Sequence, residues 1–139
     1  MRSTKFFVSW IVSSISMFGL SYAWHAVVLN DFARISYPKD IFLIVAAFVY
    51  LGIGLLITIA AYLLKKHFDS YKYGILGGAT IGVFIYAIAF LFGVSFNSII
   101  DLKMIAFDLT WQTFEQAFGG LICAWTFRLM TLRERRLSF

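Results

Sequence analysis

Four stretches of this chain, roughly Phe6–Leu29, Ile41–Leu64, Gly74–Val94 and Met104–Met130, are each long and apolar enough to cross a bilayer. A spanning helix needs ~20 mostly apolar residues, because it rises ~1.5 Å per residue through a hydrocarbon core ~30 Å thick. Lipid offers no partner to a free backbone amide, so each stretch is a predicted helix. The short connections make neighbouring helices antiparallel. The expected fold class is therefore all-α: one polytopic domain, a four-helix transmembrane bundle over residues 1–139. The fourth stretch fits least cleanly, because it contains Asp108 and Glu115.

Composition supports this. The chain is 61% hydrophobic and only 14% charged, whereas soluble domains are about 45–50% apolar and about 25% charged. The distribution of charge then orients the bundle. Arg2, Lys5, Lys65, Lys66, Lys72, Arg128, Arg133, Arg135 and Arg136 fall on one side, nine of the 12 basic residues. Only Arg34, Lys39 and Lys103 fall on the other. Cationic loops stay on the cytoplasmic side, so both termini are expected there. An even number of spans is required for that, and four is even. The expected location is a cell membrane, with the bacterial inner membrane the first choice. Trp10 and Trp125 fall near the inner interface, and Trp24 and Trp111 near the outer one, as aromatic belts do. The bilayer accounts for the basic residues without a nucleic acid.

Other features are local. Arg2 and Lys5 before an apolar run, then Ser21-Tyr22-Ala23, also fit a cleaved leader. The run continues through Trp24 to Leu29, which favours a retained span. Cys123 stands alone, so no internal disulfide or thiolate metal site is available, and it reads as a small apolar filler. Span one carries Ser9, Ser13, Ser14, Ser16 and Ser21, a sign that it faces protein on more than one side. The inner loop from Lys65 to Lys72 is suited to anionic headgroups. Gly74, Gly78 and Gly82 lie four apart and share one helix face, a flat groove for a second backbone. An internal helix is the favoured occupant. A second copy or another membrane protein is the alternative.

The polar residues of span four carry the functional signal. Asp108, Gln112, Glu115 and Gly119 are spaced four, three and four apart and share a face. A charge at bilayer depth costs roughly 2.5–3.5 kcal/mol even on gentle insertion scales, so the stripe must turn away from lipid. Asp108 lies ~6 Å inside the outer edge, and His25 lies at a similar depth on span one. An aspartate–imidazolium pair would offset the desolvation of both. Asp108 also suits a helix cap. Glu115 lies ~16 Å in, with no cation at its level. Tyr50, Tyr86, Ser16 and Gln112 are its midplane neighbours by depth. There a neutral Glu115 serves either as an interhelix bond or as a group that takes and releases a proton. The candidate site is thus Glu115, Asp108, His25, Gln112 and Tyr86. His25, Asp108 and Glu115 are a poor metal set with one imidazole, and no cofactor motif appears.

From Gly74 onward, the glycine-rich third span, Tyr86, Asn97 and Asp108-x-x-Trp111 resemble small uncharacterised four-helix bacterial membrane proteins of the domain-of-unknown-function class. The resemblance covers about the second half of the chain. It implies four spans and no catalytic residue. The function first expected is binding or passage of a small solute, ion or proton at the polar centre. An accessory or assembly subunit of a larger membrane complex comes second. A membrane-embedded enzyme acting on a lipid or small molecule comes third.

Overall fold

The computed structural model of the chain describes residues 2–30, 38–64, 70–92 and 101–137. Arg34, Lys65, Lys66 and Asn97, all weighed above, lie outside these residues. Helix α1 spans Arg2–Tyr22 and runs directly into a π-helical segment, Ala23–Val28. Helix α2 spans Lys39–Leu63, α3 spans Tyr71–Leu91, and α4 spans Leu102–Leu137. The fold is an all-α bundle.

Three helices are long and apolar enough to cross a membrane: Thr4–Val28, Lys39–Leu63 and Tyr71–Leu91. Helix α4 differs from this expectation. Its 36 residues reach roughly 54 Å, well beyond a bilayer core, and its middle carries Gln112, Glu115 and Gln116. It is instead the hub of the bundle. It packs most closely on α3 and α1, while α2 leans mainly on α1. The least apolar helix is the one its neighbours wrap.

The interior is correspondingly polar. Among described residues, Met17, Ile53, Ile57, Ala61, Cys123 and Ala124 form the buried apolar set. Ser9, Ser13, Ser14, Ser21, Thr58, Glu115, Gln116 and Thr126 are buried with them. The larger apolar side chains face outward, including Ile15, Phe48, Leu63, Phe84 and Leu91. A water-soluble domain cannot sustain this inversion, because its driving force is the removal of apolar area from water. In lipid, tails solvate the outer face, and small or polar residues hold the helices together.

The helix pairs are antiparallel. Lys5, near the start of α1, forms a 2.6 Å ion pair with Glu134, near the end of α4, and also donates to Thr131 at 3.2 Å. The Arg128 guanidinium lies 5.1 Å from the Tyr71 ring centroid, joining the end of α4 to the start of α3. These contacts bring Lys5, Arg128 and Glu134 to one end of the bundle. Helix α4 continues past Met130, where the apolar stretch ends.

Two seams set the spacing of the helices. Gly74, Gly78 and Gly82 are buried against α4. A Cβ at Gly78 would run into the Gln116 carbonyl, and one at Gly74 into Ala124 and the Gly120 carbonyl. The glycine groove is thus filled by a helix of the same chain. On the other side, Gly54 of α2 meets Ser14 of α1, and Gly119 of α4 meets Met17. The Trp10 indole closes the α1–α2 seam by donating to the Leu51 carbonyl at 2.8 Å. Asn30 ends the first span in the left-handed region, φ 52°, which its short polar side chain tolerates.

Candidate functional site

Glu115 projects from the middle of α4 into the seam with α1 and α2. It is 1% exposed, and neither carboxyl oxygen is held by a hydrogen bond of good geometry. Two polar groups stand beside it: the Tyr50 hydroxyl from α2, and the indole N–H of Trp111 one turn earlier on α4. The Trp111 N–H is itself buried and points to no acceptor of good geometry. The Tyr50 hydroxyl donates to Ser21 Oγ of α1 at 2.7 Å. Phe18 steadies the Tyr50 ring in an edge-on contact, with 6.0 Å between centroids. The local order is therefore carboxyl, phenol, then serine, drawn from three helices.

Most buried polar atoms in native proteins are firmly paired, so a buried carboxyl with only two loose donors beside it calls for an explanation. Several buried hydroxyls of the seam are satisfied locally, while Ser9 Oγ is buried without a partner. Ser13 donates to the Ser9 carbonyl at 2.7 Å, Ser14 to Trp10 at 2.8 Å, and Thr58 to Gly54 at 2.7 Å. Each closes on its own helix, the usual outlet for hydroxyls in lipid-buried helices. A carboxylate has no such outlet, because its oxygens only accept and the N–H groups of a helix interior already donate to carbonyls four residues back. Gln116, next along the chain, is also fully buried with both amide atoms unpaired. Its side chain lies against Gly82 on the α3 side.

The five residues chosen from sequence do not form one cluster. Tyr86 faces the outer start of α4, where its hydroxyl donates to the Ile105 carbonyl at 3.2 Å and lies near Asp108. Ile105 is ten residues from Glu115, roughly 15 Å along the helix, so Tyr86 is not the partner of Glu115. That place belongs to Tyr50. Gln112 is half-buried, and its carbonyl approaches Gly82. Asp108 does not cap α4. Asp101 does, accepting from the Lys103 N–H at 3.2 Å; Asp108 lies about two turns inside. The depth match between His25 and Asp108 corresponds to the packing around them. Trp24, beside His25, stacks on Trp111 at 4.1 Å and lies 6.0 Å from Phe107, beside Asp108.

Trp111 and Ser21 are absent from the site expected from sequence, and Tyr50 stands there only among several neighbours by depth. Both missed residues carried a signal. Trp111 is one turn before Glu115, and Ser21 is the serine of α1 closest to the outer end. Among the described residues, no three His, Cys, Asp or Glu side chains gather where they could hold a metal ion. The chain matches no family model, no curated protein and no solved structure.

Proposed function

We propose that this chain is a multi-pass cell-membrane protein, with a bacterial inner membrane as its setting. In this reading both termini are cytoplasmic, and Glu115 binds and releases a small solute, ion or proton. One observation carries it: a carboxyl buried to 1% exposure at the centre of the bundle, approached by the Tyr50 hydroxyl and the Trp111 N–H but held by no hydrogen bond of good geometry. Leaving such a group unsatisfied costs about 1–3 kcal/mol, a burden tolerated at working sites. The orientation rests on the charge asymmetry. The glycine ladder, on which an accessory-subunit reading leans, is engaged by α4 of the same chain.

The test uses protein reconstituted in lipid vesicles. Thermal stability is measured against pH and against a panel of small ions and solutes. A condition-dependent stabilisation present in the native chain is expected to vanish in Glu115→Gln while helicity is retained. An identical response in Glu115→Gln and Asp108→Asn contradicts the proposal.

A further inference from the structure

We infer that the species exchanged at Glu115 is the proton, reaching it through the hydroxyls of Tyr50 and Ser21 from the end of the bundle that carries Trp24. This deepens the reading of Glu115 as an exchange site and rests on it.

The donor set is the first argument. Hard cations take about six oxygen ligands. Around Glu115 the polar neighbours are the Tyr50 hydroxyl, which already donates to Ser21, and the Trp111 N–H. An indole N–H donates only and offers a cation nothing. A proton needs neither six ligands nor a cavity, and the carboxyl is sealed in. With no cation beside it, the neutral acid is the form this closed geometry accommodates.

Connectivity is the second argument. Glu115, Tyr50 and Ser21 form a relay across α4, α2 and α1, with its outer step 2.7 Å long. Ser21 is 8% exposed, and the partly exposed His25 follows one turn later in the π-helical segment. In one transfer the carboxyl O–H passes its proton to the Tyr50 oxygen. Tyr50 passes its own proton to Ser21, and Ser21 releases one outward. The hydroxyls are restored, one proton has left, and a carboxylate remains. That carboxylate gains two donors already in place, the reoriented Tyr50 O–H and the unpaired Trp111 N–H. Reprotonation is the reverse.

In the opposite direction the chain of hydroxyls is broken. Ser13, Ser14 and Thr58 donate to carbonyls of their own helices. Met17, Ile57, Cys123 and Ala124 fill the space between them. No other charged group competes at the level of Glu115 among the described residues. Helix α1 presents Ser21 and Met17, α2 presents Tyr50, and α3 presents its glycines, with Tyr86 committed to Ile105. On α4 itself, Asp108 lies two turns outward, and Cys123, two turns inward, sits 3.8 Å from Thr58 Oγ1.

The experiment follows the infrared carbonyl band of Glu115 in oriented proteoliposomes, assigned by difference from Glu115→Gln. Heavy water is introduced on one side at a time. The native band is expected to shift quickly when heavy water enters from the Trp24 end. Tyr50→Phe and Ser21→Ala are each expected to slow that shift about 100-fold, the scale of a positioned proton-transfer group. Tyr50→Phe keeps the ring packed on Phe18, and circular dichroism verifies the fold of each variant. Unchanged exchange in both variants overturns the relay and leaves Glu115 an exchange site. Equally fast exchange from the Lys5 end overturns the one-sided path. A native spectrum identical to that of Glu115→Gln overturns both the relay and the underlying reading.

Discussion

On its α3 side, α4 meets glycine. Gly74, Gly78 and Gly82 let the two backbones touch, and Gly120 answers from α4. On its α1 and α2 side it meets side chains instead: Met17, Tyr50, Ser21 and Ile57. The first seam is fixed by sterics, since a groove without Cβ atoms has one fitting depth. The second is set by flexible and polar groups that tolerate rearrangement, and Glu115 lies in it. On the proposed reading of Glu115 the division has a use: one seam would hold the helices in register while the other accommodates a change in charge.

Substitutions on the glycine seam should break that contrast most severely. Gly78→Ala drives a Cβ into the Gln116 carbonyl, so a loss of about 2–3 kcal/mol is expected, the range for overpacking a tight contact. Unfolding in mixed micelles, followed by circular dichroism, measures it. Gly52→Ala is the matched control, because nothing lies within 4 Å of a Cβ there. It should be neutral or stabilising by up to about 1 kcal/mol. Equal losses in the two variants would remove the steric account of the seam.

Trp24→Ala should have a smaller effect. Its stack on Trp111, 4.1 Å between centroids and 12° between planes, is worth about 0.5–1.5 kcal/mol beyond the area it buries. The same variant uncovers Trp111, one turn from Glu115, so its tryptophan fluorescence should shift to the red. An unshifted spectrum would mean that Trp24 does not shield that level of the bundle. Smallest of all is Lys5→Ala. The Lys5–Glu134 pair is partly exposed, with side chains at 14% and 29%, and should contribute about 0.2–1 kcal/mol, less at high salt. A salt-independent loss above that range would show the pair to be a structural clamp.

Helix number and type were legible because hydropathy over ~20 residues is a strong signal. The pairing within the glycine ladder was legible for a similar reason, since spacing by four fixes a face. The ends of α4 were not. The apolar stretch ends at Met130 and Arg133 to Arg136 read as a solvated anchor, whereas α4 continues to Leu137, with Glu134 paired to Lys5, which is distant in sequence. The π-helical turn at Ala23–Val28 carries no local signature. For the site, periodicity gives the depth and face of one residue on one helix. It does not give the rotation of one helix against another. Tyr50 and Tyr86 therefore looked equivalent as neighbours of Glu115, and only packing assigned Tyr50 to it.

The stability of Glu115→Leu in the same bilayer tests the central claim most directly. If Glu115 is an unsatisfied working group, replacing it with an apolar side chain of similar length removes a desolvation burden. The variant should then be as stable as the native chain, or more stable by about 1–2 kcal/mol. A loss of about 3 kcal/mol or more would show that Glu115 holds the helices together, and would contradict the account.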